Sequence, residues 1–214
     1  MFIVGVDLSG PSNTADTVLV AFETRDSSLE LRQCVLGATD TEIFDSVTEL
    51  ARQSEVAVGI DAPLSYNLGG GDRSSDADLR QHAIKAGLHP GSIMPPTMNR
   101  MVYLTLRGVS LARLLLTIQG NPTRITEVHP GATMALRGAP VDAIRSFKNS
   151  EEARGQLLDW LERQGLGSAA TAKEPSDHYV AACAAALAAW KWQSGESVWL
   201  HRAEPPIHPF DYAC

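Results

Sequence analysis

Asp7 and Asp61 occur in matching contexts. Val4-Gly5-Val6-Asp7 is echoed by Val58-Gly59-Ile60-Asp61, with a glycine two residues before each acid. Strand side chains alternate between faces, so each glycine shares a face with its aspartate and leaves room for a close approach to the backbone. If the two runs are neighbouring parallel strands, the carboxylates lie side by side at their carboxyl ends, where open α/β sheets place ligands. Two such charges about 4 Å apart repel by roughly 4 kcal/mol at an effective dielectric of 20. A shared proton or a divalent cation relieves this, and Mg²⁺ favours a few carboxylates plus waters. The alternative is that each aspartate caps a loop through backbone N–H groups.

Two further acids complete a candidate cluster. Glu127 is the only acidic residue between Leu79 and Val141, and a strand there puts Ile125, Glu127 and His129 on one face. It is either a metal ligand or the ion-pair partner of Arg124 or another nearby arginine. His129 is a ligand or general base, or a hydrogen-bonded structural group. Asp177 opens an Ala-rich segment whose apolar stripe is Val180, Cys183, Leu187 and Trp190. It therefore projects from the first turn of the buried face, although an acid after Pro175 and Ser176 is also a good helix cap. His178 is expected to point elsewhere. Four carboxylates around two ions would suit phosphodiester hydrolysis, one ion activating water and the other stabilising the leaving oxygen. Gly69, Gly70 and Gly71 lack the Lys-Ser/Thr ending of a phosphate loop. Arg73, Asp76 and Arg80 either line the mouth of the site or belong to a capped surface helix.

Periodicity predicts the elements that would position these residues. Residues 2–7, 17–22 and 29–36 read as an antiparallel meander. A helix over 39–53, capped by Thr39 or Asp40, leads to a strand over 56–61, parallel to the first through a crossover. A loop over 63–71, a helix over 74–85 with Ser75 or Asp76 near its cap, and a loop over 89–99 with three prolines come next. A helix over 101–118, a strand over 124–129 and helices over 151–164 and 177–192 complete the core. Lys173 to Ser176 reads as a linker, and the tail beyond Ser194 as packed across the surface. The expectation is one domain over 1–214, an α/β fold with a five-stranded mixed sheet (antiparallel meander plus two parallel strands) and helices on both faces. With a helical and loop insertion at about 66–122, this is the order of a ribonuclease H-like core.

No apolar run approaches the roughly 20 residues that span a bilayer, and no signal-peptide pattern opens the chain. Cys34, Cys183 and Cys214 fit neither a disulfide framework nor a zinc motif, so a reducing cytoplasm is expected. The net charge is −7, but ten Lys and Arg between Arg73 and Lys148 face only four acids. That asymmetry marks either a surface for nucleic acid or a few arginine-bearing helices left unbalanced. The oligomeric state is open, a dimer being one option.

These motifs together resemble domain-of-unknown-function family 429. The resemblance rests on VGVDLSG (Val4 to Gly10), GIDAPLS (Gly59 to Ser65), Arg73, Asp76 and Arg80, RGVSLARLL (Arg107 to Leu115), EVHPGA (Glu127 to Ala132) and the Asp177 helix with its Ala-rich continuation. Members of that family are regarded as predicted nucleases with a ribonuclease H fold. The resemblance implies Asp7, Asp61, Glu127 and Asp177 as catalytic and metal-binding positions for Mg or Mn, with nucleic acid as substrate. The last helix of similar RuvC-type resolvases often carries a second Asp a turn after the first; here Val180 and Ala181 stand there. A metal-dependent nuclease is the leading expectation. VGVDLSG also resembles the first phosphate loop of actin-like and sugar-kinase ATPases, which need a second lobe. A non-catalytic nucleic-acid-binding protein is the third reading.

Overall fold

Every residue of the first strand, β1 (Phe2–Asp7), is buried, as its unbroken apolar run requires. The computed structural model describes residues 1–169 and 175–214. β2 (Val18–Arg25) and β3 (Ser28–Leu36) extend β1 as an antiparallel meander. α1 (Asp40–Gln53) starts at a capping box, in which Thr39 and Glu42 satisfy each other's backbone N–H groups. It carries the chain over to β4 (Val56–Asp61), parallel to β1 in a register that sets Gly5 opposite Gly59 and Asp7 opposite Asp61. α2 (Ser74–Lys85), a 3₁₀ turn (Pro90–Ser92) and α3 (Met101–Leu115) intervene before β5 (Thr123–Val128), parallel to β4. α4 (Pro130–Leu136), α5 (Val141–Ser146), α6 (Glu151–Arg163), β6 (Leu166–Gly167), α7 (Asp177–Gln193), β7 (Leu200–His201) and β8 (Asp211–Ala213) follow.

The sheet has eight strands among the described residues, in the order β6-β3-β2-β1-β4-β5-β8-β7. This corrects the expected five, which form its centre. The added strands are two or three residues long, too short for alternation to appear in the sequence. The tail is likewise corrected: it does not cross the surface but extends the sheet beyond β5, anchored by buried Trp199, Tyr212 and Cys214. α4 and α5 occupy a stretch to which the sequence assigned nothing. Lys173 and Glu174 of the expected linker lie outside the described residues; Ser176 caps α7 by accepting from the Tyr179 N–H. Among the described residues no helix is long and apolar enough to cross a membrane.

The glycine echo has a structural explanation. α7 is buried on all sides from Tyr179 to Ala189 and lies directly on the sheet. A Cβ on Gly5 would sit 2.0 Å from the Ala182 carbonyl oxygen, and one on Gly59 2.6 Å from that of Ala185. The two glycines are therefore the seat of α7, and that seat brings the helix's first turn over the ends of β1 and β4. The opposite face packs Val4, Val6, Val58 and Ile60 against residues of α1 and α3.

Candidate active site

Parallel pairing in register leaves Asp7 and Asp61 side by side at the floor of a cleft. Residues four apart stack along a helix, so α7 supplies two rows. Asp177, Ala181 and Ala185 run along the row that crosses Gly59, and His178, Ala182 and Ala186 along the row that crosses Gly5. Asp177 accordingly lines the same cleft as Asp61, and His178 reaches Asp7. The His178 Nδ1–H donates to Asp7 Oδ2 at 2.7 Å. Its Nε2 lies 3.7 Å from an Asp16 oxygen and 4.0 Å from one of Asp177. The expectation that His178 points elsewhere is thus corrected. The missed signal was its spacing of four from Ala182, which becomes legible once α7 is known to sit on Gly5.

The electrostatics follow from burial and crowding. Desolvation first, then the charge of Asp7 and a hydrogen bond to it, push Asp61 well above the usual carboxylate range; Lys148 opposes the shift. Asp61 therefore favours its protonated form beside Asp7. The hydrogen bond to Asp7 raises the pKa of His178, favouring its charged form against the opposing effect of burial.

Glu127 leaves the sheet from the other face, although its charge adds a smaller part to the shift of Asp61. It is in register with Ile60, so its side chain leaves the sheet on the face away from α7. Its Oε2 accepts from the Leu64 N–H and from Arg73 Nη1, each at 2.8 Å, and Oε1 accepts from Arg73 Nη2. Arg73 also donates to both oxygens of Asp76, Nη2 at 2.7 Å and Nε at 3.0 Å, while its backbone N–H closes the cap of α2 on Asp76. All three residues are at most 4% exposed. Burial opposes the Arg73 charge, but Glu127 and then Asp76 outweigh it and raise its pKa. This network fixes the turn after β4 rather than lining the cleft.

Residues 5–205 match a family described as a protein of unknown function, DUF429. The chain belongs to that family. Comparison with curated proteins gave no match, and comparison with solved structures gave none. In this DUF429 member, then, function has to be argued from the site.

Of the eight residues singled out in the sequence, Asp7, Asp61 and Asp177 share the cleft floor, with His129 in its wall. His129 caps α4: Nδ1 accepts from the Ala132 N–H at 3.1 Å and Nε2 donates to the Ser92 carbonyl at 2.9 Å. Burial lowers its pKa and keeps it neutral. Arg80 is held by Asp72 through two bonds of 2.7 and 2.6 Å. The basic segment is in part internal. Arg73 is spent on Glu127 and Asp76, and Arg107 is buried against Asp40, the Ser9 carbonyl and Thr17, where it fixes the loop after Asp7. Exposed charge from that segment reaches the cleft as Arg145 and Lys148. Among the described residues no group of three or more His, Cys, Asp or Glu side chains is gathered to hold a metal ion. The donor set at the floor is two adjacent carboxylates, which fits one hard cation completed by waters or substrate oxygens.

Proposed function

We propose that the protein is a metal-dependent nuclease that hydrolyses phosphodiesters of DNA or RNA, on a ribonuclease H-like core formed by β3-β2-β1-β4-β5. The observation that carries this reading is the in-register Asp7–Asp61 pair, in which burial and the charge of Asp7 favour a proton on Asp61 that a cation would displace. Asp7 and Asp61 would hold one Mg²⁺ or Mn²⁺, with Asp177 beside them. When bound, the cation supplies a water of lowered pKa and polarises a phosphoryl oxygen. Asp7 orients His178 through Nδ1, and His178 moves a proton at Nε2. Lys148 and Arg145 hold the anionic substrate at the rim. With Glu127 committed to Arg73, one cation is better supported than the two of a four-carboxylate site. The free thiols of Cys34, Cys183 and Cys214 support a reducing cytoplasm as the setting.

Cleavage of a DNA and RNA panel with Mg²⁺ or Mn²⁺, and calorimetric Mn²⁺ binding, test the reading together. Asp7→Asn is expected to lower cleavage by about 10²-fold or more and to abolish Mn²⁺ binding. The proposal fails if Mn²⁺ binds equally to wild type, Asp7→Asn and Asp61→Asn. The 2.7 Å His178–Asp7 bond favours one second reading, a metal-independent hydrolase with His178 as general base. Chelator-resistant turnover that disappears in His178→Ala would select it.

A further inference from the structure

The size and lining of the cleft restrict what reaches the two carboxylates. Its volume is about 720 Å³, within the roughly 300–1,000 Å³ of pockets that enclose one small organic ligand. Asp7 lies at its floor and is only 9% exposed. Leu88 and Pro90 wall it from the segment after α2, Pro130 from the start of α4, and Ile144 and Phe147 from α5 and its end. Leu88, Ile144 and Phe147 also belong to the core, so these walls are part of the packed fold. The residue after Phe147 is Lys148, exposed at the same rim.

We propose that this cleft takes one unpaired nucleoside phosphate unit and excludes base-paired duplex. The phosphate ester lies over Asp7 and Asp61, steered by Lys148, and the base lies against Leu88, Pro90 and Phe147. For its chemistry the inference rests on the nuclease reading above; for the shape of the ligand it rests on the cavity. A base within a duplex is stacked on both sides, and its phosphate reaches the bottom of a walled cleft only if the nucleotide is extruded, which costs a few kcal/mol. A single strand presents base and phosphate together and stacks readily on apolar and aromatic side chains. A strand and a free mononucleotide share this chemistry.

The test uses the full chain with Mn²⁺ and four probes: thymidine 5′-monophosphate, inorganic phosphate, a short single-stranded oligonucleotide, and the same strand in a blunt duplex. The single strand is expected to bind and be cut about 10-fold or more better than the duplex. The mononucleotide is expected to bind about 5-fold or more tighter than phosphate, because only it has a base to stack. Ser92→Trp narrows the cleft from an exposed wall position. It should weaken strand and mononucleotide binding about 5-fold while leaving phosphate binding and the melting temperature unchanged. Competition between mononucleotide and strand identifies the strand as the source; mononucleotide binding without strand binding identifies the free nucleotide. Duplex used as well as single strand, mononucleotide bound no better than phosphate, or indifference to Ser92→Trp would each overturn the proposal. If neither nucleic acid is cut while the mononucleotide still binds and Ser92→Trp still weakens it, the nuclease reading falls and the pocket assignment stands.

Discussion

Two carboxylate sites lie on opposite faces of one sheet, and they differ in how their charge is met. On one face Glu127 and Asp76 share a buried guanidinium, and each of their carboxylate oxygens has a donor at hydrogen-bond distance. On the other, Asp7 and Asp61 face each other with His178 on Asp7 and Lys148 at the rim. Buried charges that are paired and hydrogen-bonded behave as structure; a buried carboxyl whose proton affinity a neighbouring carboxylate raises, as at Asp61, marks a candidate site. The contrast shows why an acid at the end of a parallel strand is not by itself a ligand. What decides is which face it leaves from and whether an arginine is already there.

The largest expected effect breaks the compensated side. Arg73→Met leaves Glu127 and Asp76 buried without a cation, and urea denaturation should show a loss of about 3–5 kcal/mol. Removing one member of the exposed Arg52–Glu49 pair should cost under about 1 kcal/mol.

The next effect breaks the other side through its scaffold. Gly5→Ala drives a methyl group against the Ala182 carbonyl, and the collision with backbone should cost about 3 kcal/mol. It also lifts the first turn of α7, so Mn²⁺ binding should weaken even where folded protein remains. Gly10→Ala enters open space and should stay within about 0.5 kcal/mol of wild type. Equal effects at the two glycines would contradict the helix seat.

A smaller effect, of opposite sign, sharpens the comparison. Asp61→Asn removes the repulsion with Asp7 and should stabilise the cation-free protein by about 1 kcal/mol at pH 8. Glu127→Gln should destabilise it, because Arg73 loses a charged partner. If both substitutions destabilise, the two sites are not distinguished by their charge balance.

Much of this was legible in the sequence. The VGVD and VGID runs implied two parallel strands with adjacent acids, and the register bears this out. Thr39 or Asp40 was expected to cap α1, and Thr39 does; the long helix expected over 101–118 is present as α3, ending at Leu115. Other features depend on contacts between segments far apart in the chain. Glu127 leaves from the face opposite Asp61 because its partner in the ladder is Ile60, which its own neighbours do not reveal. The local excess of positive charge shrank because Asp72, one residue before the counted stretch, takes Arg80, and Asp40 takes Arg107. The stripe read on α7, Val180, Cys183, Leu187 and Trp190, is not the one seated on the two glycines: Gly5 meets Ala182 and Ala186, and Gly59 meets Ala185 and Ala189, because α7 is buried on all sides and offers no single apolar face. The edge strands are too short to carry a period.

The smallest effect concerns pH, and it arises at the cleft rather than around Arg73. Asp61 and His178 both have raised pKa values in the fold. Their contributions to stability are full below the unfolded values, near 3.8 for Asp61 and 6.5 for His178, and are lost as pH rises through the folded values. His129 acts in the opposite sense: burial lowers its pKa, so its contribution is present above 6.5 and lost as pH falls through the folded value. Arg73 stays charged throughout and adds no slope. The informative quantity is therefore the difference between wild type and Asp61→Asn. The stabilisation gained by the substitution should grow as pH rises above about 3.8 and level off once pH passes the folded value of Asp61. A cation at the pair must displace the proton favoured on Asp61, so stabilisation by Mn²⁺ should be greater at pH 8 than at pH 6 in wild type. In Asp61→Asn, both the slope and the response to Mn²⁺ should diminish together. A Mn²⁺ response that survives the substitution with its pH dependence intact would place the cation elsewhere, and the uncompensated face would lose its claim to be the site.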